Sequence, residues 1–145
     1  MKIGIEKISF HIPRQYLELS RLAVQHGTDV QKFRRGIGQE RMSVPLHDED
    51  VVTLAAEAAL PIIKEHGPDG IDSVLFATET SIDQSKSAGI YVHNLLGLKA
   101  QCRNVEFKQA CYSATAAVQM ACGYVTRQPD RKVLVIASDV SRYDL

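Results

Sequence analysis

The stretch RNVEFKQACYSATAAVQMACGYVT, residues 103–126, decides the fold. Its first part, at 105–107, is typical of a short strand, and a tight turn then leads into a helix of mostly small residues. Cys111 lies at this junction. A thiol in the first turn of a helix meets unpaired backbone N–H groups and the positive end of the helix dipole, and both favour thiolate over thiol. The stretch therefore predicts a strand, a turn and a helix that present a nucleophilic cysteine.

Cys111 also has a plainer interpretation, because a free cysteine is usually a small buried hydrophobe. The strand-turn-helix context favours the nucleophile. Ala110 and Ser113 are small enough to let a thin substrate approach, and the Ser113 hydroxyl can satisfy free N–H groups in the first helical turn. Cys102 precedes the strand and Cys122 lies deep in the helix, so we expect both to be structural.

Composition excludes several classes of function. The chain has 145 residues, with 17 basic and 17 acidic side chains, and is typical of a globular protein with one core. Zero net charge argues against nucleic acid and anionic membranes as main partners. Three cysteines without paired spacing argue against a disulfide framework or a zinc site and favour a reducing compartment. The first residues resemble neither a signal peptide nor a membrane span, so we expect a cytoplasmic protein.

The hydrophobic pattern predicts a parallel α/β layer structure. Short apolar runs at 72–78 and 132–137 are typical of parallel strands that are buried on both faces. We interpret the acids at 48–50 as helix-capping rather than metal-binding residues. The other predicted elements are a strand at 2–10, a helix at 15–25, a short helix that ends at Phe33, a helix that Asp48 caps and that runs through Ile63, and a helix at 84–96.

Glu79 follows the predicted strand at 72–78 directly. Ligands of open α/β sheets gather outside the carboxyl ends of the strands, so a carboxylate at this position is a candidate functional residue. The alternative is a solvated loop acid, or a cap for a helix that begins near Asp83. We interpret His93 as a packing or surface histidine, and the two glycines of Gly36-Ile37-Gly38 as a turn rather than a nucleotide-binding loop.

The chain ends one loop after the strand at 132–137. A parallel sheet would be expected to continue with further strands. We therefore expect residues 1–145 to be the amino-terminal portion of a longer protein.

Four segments together carry a family resemblance: ATETSIDQSKS at 77–87, FKQACYSATAA at 107–117, GIGQE at 36–40 and VLVIASDVSRY at 133–143. They resemble the 3-hydroxy-3-methylglutaryl-CoA (HMG-CoA) synthases of the thiolase superfamily, with the bacterial mevalonate-pathway type closest. The resemblance runs from Ile3 to the last residue. It implies a thiolase-like layered α/β/α fold, of which this chain would be the amino-terminal half, with a mostly parallel central sheet.

The resemblance also implies roles for individual residues. Cys111 would take the acetyl group of acetyl-CoA as a thioester, and Glu79 would be the general acid/base of the condensation with acetoacetyl-CoA. Asp29 and Val30 match the family segment that borders the CoA substrate. The resemblance implies acetyl-CoA and acetoacetyl-CoA as substrates and no cofactor or metal. Thiolase-like proteins generally form dimers, so it also implies a homodimer.

The family's third catalytic residue, a histidine, would lie beyond residue 145. None of the five histidines matches its motif: His11, His26, His47, His66 and His93. The segment alone is therefore expected to be inactive, and to be poorly stable because half of its core would be exposed.

Three other functions stay open. A polyketide β-branching homologue would perform the same condensation on an acetoacetyl group carried by an acyl carrier protein. An initiating ketoacyl synthase shares the fold and the nucleophile, but Glu79 argues against it because that family has no carboxylate base there. A non-catalytic thiolase-like module would merely bury Cys111, and thiol labelling would then be slow.

Overall fold

A computed structural model describes residues 3–140, which form two compact units. The smaller unit is Ile12–Glu49, and the larger one contains the described residues before 12 and after 49. The smaller unit consists of strand β1 (Gln15–Glu18), helix α1 (Leu19–Gln25), a short π-helix (Lys32–Ile37) and strand β2 (Arg41–Val44). The larger unit consists of helix α2 (Val51–His66), a 3₁₀ turn (Pro68–Gly70), strand β3 (Ser73–Ala77), helix α3 (Ala88–Leu95), strand β4 (Arg103–Phe107), helix α4 (Ser113–Arg127) and strand β5 (Val133–Ala137).

In the smaller unit, β1 pairs antiparallel with β2. The prediction of a helix at 15–25 is therefore wrong for its first four residues, and helix α1 begins only at Leu19. Apolar residues at helical spacing suggested the longer helix, but pairing with β2 supplies backbone partners that local periodicity cannot reveal. The predicted end of this helix before Gly27 is confirmed, since Gly27 has a φ of 59°.

The predicted short helix that ends at Phe33 is instead the π-helix, which continues to Ile37. Gly36 and Ile37, predicted as part of a turn, are helical, and Gly38 ends the element with a φ of 72°. Glycine is suited to this position because a left-handed backbone costs it no steric strain.

The sheet of the larger unit is parallel and has the strand order β4-β3-β5. All five residues of β3 are buried, as predicted for a central strand between two covered faces. Val74 and Phe76 join the apolar core that includes α2 and α3. Leu75 points to the opposite face, where α4 packs against the sheet. The predicted parallel α/β architecture is confirmed.

Residues 3–10 belong to the predicted strand at 2–10, whose first residue lies outside the described residues. Within residues 3–140 they pair with no strand. They contact α2 instead: the Ser9 hydroxyl donates to the carbonyl of Ala58 at 2.6 Å. Ile5 and Phe10 are 74% and 82% exposed. The alternating pattern indicated a strand, but a strand needs a neighbouring edge, and the described residues supply none here.

Two helix starts differ from the predictions. The capping residue of α2 is Asp50, not Asp48: its carboxylate accepts from the N–H groups of Val52 and Thr53, and the Thr53 hydroxyl accepts from the Asp50 N–H. Helix α3 begins at Ala88 rather than at 84. Asp83 accepts from the two backbone N–H groups of residues 85 and 86, and this turn competes with a helix.

Candidate active site

The carboxyl ends of the three parallel strands lie at one edge of the sheet. Ala77 of β3 is in register with Phe107 of β4 and with Ala137 of β5. Pairing continues beyond the strands, because the N–H of Thr78 donates to the carbonyl of Phe107 at 3.1 Å and the N–H of Ser138 donates to Ala77 at 3.1 Å. The loops that follow β3, β4 and β5 therefore start at the same edge, where ligands of open α/β sheets bind.

Cys111 follows β4 by four residues and is exposed on this edge. The turn before it is strained: among residues 3–140, Ala110 is the one non-glycine residue with a positive φ, at 45°. A left-handed backbone costs a residue with a Cβ about 1 kcal/mol or more, and such strain clusters at functional sites. The strained residue is the one that directly precedes the predicted nucleophile.

Ser113 braces this turn. Its hydroxyl accepts from the N–H of Gln109 at 2.6 Å and donates to the carbonyl of Ala110 at 2.9 Å. Ser113 is only 3% exposed, so both hydrogen bonds are shielded from water. The prediction that Ser113 caps the free N–H groups of the helix is therefore wrong, because its hydroxyl bonds backward to the turn. Helix α4 starts at Ser113, which places Cys111 before the helix rather than in its first turn.

Glu79 follows β3 by two residues and is exposed at the same edge. Its backbone is held by Asp139, which follows β5 by two residues. Asp139 Oδ1 accepts from the N–H of Glu79 at 2.7 Å and from the Thr78 hydroxyl at 2.9 Å. The same oxygen accepts from the N–H and the hydroxyl of Thr80 at 3.1 and 3.0 Å. Hydrogen bonds accepted by a carboxylate are stronger than those between neutral groups, so Asp139 fixes the start of the loop after β3.

Sequence reasoning missed Asp139 as a site residue. The rule that selected Glu79, a carboxylate directly beyond a parallel strand, applies equally to Asp139. Asp139 belongs to the segment 133–143 that carries the family resemblance, of which residues 141–143 lie outside the described residues.

Asp29 and Val30 lie in the smaller unit, between α1 and the π-helix. The Asp29 carboxylate accepts from the N–H of Gln31 at 2.9 Å, and its carbonyl accepts from the N–H of Lys32 at 3.0 Å. The Val30 carbonyl accepts from the N–H groups of residues 33 and 34. Both residues thus shape the turn that leads into the π-helix, and their role in binding CoA stays a prediction.

The other sequence candidates have structural surroundings. Cys102 is buried, and burial raises the pKa of its thiol, as expected of a structural cysteine. Cys122 is exposed on α4, and its expected structural role stays a prediction. His93 has its Nε2 3.0 Å from the carbonyl of Lys99, in agreement with a packing histidine.

Residues 3–140 contain neither a metal-binding cluster nor a membrane-spanning helix. Residues 3–140 hold no group of three or more histidine, cysteine, aspartate or glutamate side chains that could bind a metal ion. None of the helices among these residues has the length and apolar character that a membrane span requires.

Comparison with known proteins identifies the family. The family described as "Hydroxymethylglutaryl-coenzyme A synthase N terminal" matches residues 1–145. The chain is 45% identical over 145 residues to hydroxymethylglutaryl-CoA synthase of Enterococcus faecalis. The aligned region is 100% of this chain and 38% of that protein. It is 41% identical over 145 residues to a polyketide biosynthesis 3-hydroxy-3-methylglutaryl-ACP synthase of Bacillus subtilis. That aligned region is 97% of this chain and 34% of the relative.

A solved structure agrees with these matches. A crystal structure of an HMG-CoA synthase complexed with CoA superimposes with a TM-score of 0.91 at 45% identity, over 100% of this chain and 37% of that one. This chain therefore has a thiolase-like α/β fold, and the turn that carries Cys111 lies at the carboxyl edge of its sheet. The chain belongs to the hydroxymethylglutaryl-CoA synthase family and corresponds to its amino-terminal part. The predicted resemblance and fold class are confirmed.

Proposed function

We propose that this chain is the amino-terminal portion of an acyl-CoA condensing enzyme that converts acetyl-CoA, acetoacetyl-CoA and water to HMG-CoA and CoA. The observation that carries the proposal is the placement of Cys111 and Glu79 after neighbouring strands, at one edge of the sheet. The chain spans 38% of the Enterococcus relative, so the remaining catalytic histidine and most CoA contacts would belong to sequence beyond residue 145.

Cys111 carries the first step. Its thiolate attacks the carbonyl carbon of acetyl-CoA, the bond from that carbon to the CoA sulfur breaks, and CoA leaves with a proton as the thiol. The exposed position of Cys111 leaves room for this attack. The braced turn at Ala110 fixes the direction of the thiol before the substrate arrives, which reduces the entropy lost in reaching the reactive geometry.

Glu79 carries the second step. Its carboxylate removes a proton from the methyl group of the acetyl thioester, whose carbonyl makes that proton acidic. The resulting carbanion forms a bond to the ketone carbon of acetoacetyl-CoA, and the ketone oxygen takes up a proton. Water then cleaves the thioester at Cys111, which releases the carboxylate of HMG-CoA and restores the thiol. Asp29 and Val30 would border the CoA portion of a substrate.

The cellular setting follows from the same proposal. The enzyme would act in the cytoplasm, as part of the mevalonate route to isoprenoids, and would form a homodimer. Neither a nucleic acid nor a membrane is needed for the reaction, which uses soluble thioesters.

The second candidate is the same condensation on an acyl carrier protein. One observation favours it: the Bacillus subtilis relative, 41% identical, is named as a synthase of the ACP-linked product. The two functions differ in the group that carries the acyl chain, and the chemistry at Cys111 and Glu79 would be shared.

Intact-mass spectrometry of the full-length protein tests both. Brief incubation with acetyl-CoA should add one acetyl group to the wild type and to Glu79→Ala, but not to Cys111→Ala. Cys122→Ala is the matched control, since Cys122 is also exposed, and it should be acetylated like the wild type. Acetylation from acetyl carrier protein alone would favour the polyketide function. A wild type that neither donor acetylates would contradict the proposal.

A further inference from the structure

Glu106 of β4 contacts the loop that carries Glu79. Glu106 Oε2 accepts from the hydroxyl of Ser81 at 3.1 Å and from the N–H of Ala88, the first residue of α3, at 2.7 Å. One carboxylate oxygen therefore joins the residue two positions after Glu79 to the start of the next helix. Glu106 is half-buried, so these bonds are less screened by water than bonds at the surface.

The start of α3 lies close against β4. Asn104, on the same face of β4 as Glu106, donates from Nδ2 to the carbonyl of Gly89 at 3.1 Å. A Cβ at Gly89 would overlap Asn104 Oδ1 and lie 3.1 Å from the Cβ of Phe76. The beginning of α3 is therefore set by β4, and the loop between β3 and α3 has a fixed end as well as a fixed start.

The charge of Glu106 suits its position. A helix N-terminus carries partial positive charge and free N–H groups, which favour a carboxylate there. Ser87 caps the same helix through its own hydroxyl, which accepts from the N–H of Gly89 at 3.1 Å. Glu106 therefore does not simply replace a missing cap. Its bond to Ser81 also holds the loop that precedes the helix.

We propose that Glu106 is a positioning residue for Glu79, an inference that rests on the proposed function. Asp139 fixes the loop at Thr78, Glu79 and Thr80, and Glu106 fixes it at Ser81 and Ala88. Glu79 thus projects from a short segment held by the carboxylate of Glu106 on β4 and by that of Asp139, two residues beyond β5. Glu106 acts on the step that uses Glu79, the removal of a proton from the acetyl methyl group, and not on the acetylation of Cys111.

Loss of Glu106 should separate the two steps. Without its carboxylate, the Ser81 hydroxyl and the Ala88 N–H lose their acceptor and the segment around Glu79 gains freedom. A displacement of about 1 Å from reactive geometry lowers a rate by roughly 100-fold. For Glu106→Ala we expect proton removal to be about 10- to 100-fold slower. Acetylation of Cys111 should stay within about 2-fold, because the side-chain hydrogen bonds of Glu106 described within residues 3–140 go to Ser81 and Ala88 and not to the Ala110 turn.

The test uses the full-length enzyme and follows two readouts. Rapid-quench intact-mass measurement gives the acetylation rate with acetyl-CoA. Deuterium uptake into the acetyl methyl group in D₂O gives the rate of proton removal, and a purely structural weakening would not lower it selectively. Glu106→Gln keeps one acceptor oxygen and should retain more exchange than Glu106→Ala. Ser81→Ala should also slow exchange and should add little further loss to Glu106→Ala.

Two control variants complete the comparison. Glu57→Gln neutralises an exposed acid on α2 and should change neither rate. Asn104→Ala loosens the start of α3 but leaves the bond from Ser81 to Glu106, so it should lower stability more than exchange. The inference is overturned if Glu106→Ala and Glu106→Gln exchange at the wild-type rate, or if both rates fall equally in Glu106→Ala, Glu106→Gln and Asn104→Ala. A wild type that no donor acetylates would instead overturn the proposed function itself.

Discussion

The carboxylate of Asp139 lies 2.7 Å from the backbone nitrogen of Glu79, although 60 residues separate them in sequence. The same oxygen also accepts from Thr78 and Thr80. A single acceptor two residues beyond β5 therefore fixes the backbone on both sides of the proposed acid/base residue. The placement of Glu79 depends on the register between β3 and β5.

Asp139→Ala should lower the turnover of the full-length enzyme by roughly 10- to 100-fold, because several donors around Glu79 lose their shared acceptor. Asp139→Asn keeps an oxygen that can accept from the Glu79 N–H and should retain more activity. Steady-state assay of CoA release measures both variants. Asp130→Ala, an exposed acid in the turn before β5, is the control, and equal activities of Asp139→Ala and Asp130→Ala would contradict the role of Asp139.

The strained turn at Ala110 leads to a prediction about stability. Ala110→Val places a β-branched side chain at a φ of 45° and should lower the free energy of unfolding by roughly 1–3 kcal/mol and slow the acetylation of Cys111. Ala110→Gly should fold without this cost, since glycine adopts positive φ freely. Urea unfolding and intact-mass measurement test the two variants. A Val variant as stable as the Gly variant would show that the turn tolerates any side chain.

Gly89 and Gly123 are both helical but should respond oppositely to alanine. A Cβ at Gly89 would meet Asn104 and Phe76, whereas a Cβ at Gly123 on α4 meets no heavy atom within 4 Å among the described residues. Gly89→Ala should therefore cost roughly 1–3 kcal/mol in unfolding free energy. Gly123→Ala should be neutral or add about 0.5–1 kcal/mol to the unfolding free energy.

Chemical denaturation of the two full-length variants checks this pair. A destabilised Gly123→Ala would indicate that sequence beyond residue 145 packs against that face of α4. An unaffected Gly89→Ala would contradict the close approach of α3 to β4.

Asp72 should make stability depend on pH. Burial alone would raise the pKa of its carboxyl, but hydrogen bonds from Lys99 at 2.8 Å, the Lys132 N–H at 3.0 Å and Arg131 at 2.5 Å outweigh it and lower the pKa from 3.8 to about 2. Because the folded pKa lies below the unfolded one, the contribution is complete above about pH 4 and is lost as pH falls towards 2. It amounts to at most about 2 kcal/mol, since water partly screens the pairs.

Asp72→Asn should therefore destabilise the protein at pH 7 and should differ less from the wild type at pH 3. Thermal or urea unfolding at the two pH values measures the difference. Asp69→Asn removes the same charge from a nearby exposed position and should have little effect at either pH. A destabilisation by Asp72→Asn that is as large at pH 3 as at pH 7 would contradict the ionic origin of the contribution.

Much of the larger unit could be predicted from local patterns. The apolar runs of β3 and β5 predicted buried parallel strands because such strands are covered on both faces. Glu79 was a candidate because ligands of open α/β sheets gather beyond the carboxyl ends of the strands, and Cys111 because it lies at a strand-turn-helix junction. Their catalytic roles come from the family resemblance and stay predictions. These signals lie within a few residues of the positions that they predict.

The missed features depend on contacts between distant segments. Strand β2 was not predicted, and β1 was mistaken for a helix, because each is defined by pairing with the other. Asp139 and Glu106 act on a loop that lies 18 to 61 residues away in sequence. The positive φ of Ala110 could not be predicted from the residue type, because alanine rarely adopts a left-handed backbone.

The loop after β3 is held mainly by Glu106 of β4 and by Asp139, which follows β5 by two residues. Ile82 and Gln84 lie exposed on the loop, whereas the anchoring atoms belong to Asp139 and Glu106. Substitution at the two exposed positions should alter the surface of the loop without moving the backbone that carries Glu79. Libraries restricted to these two codons would therefore vary the loop surface while the anchored position of Glu79 is kept.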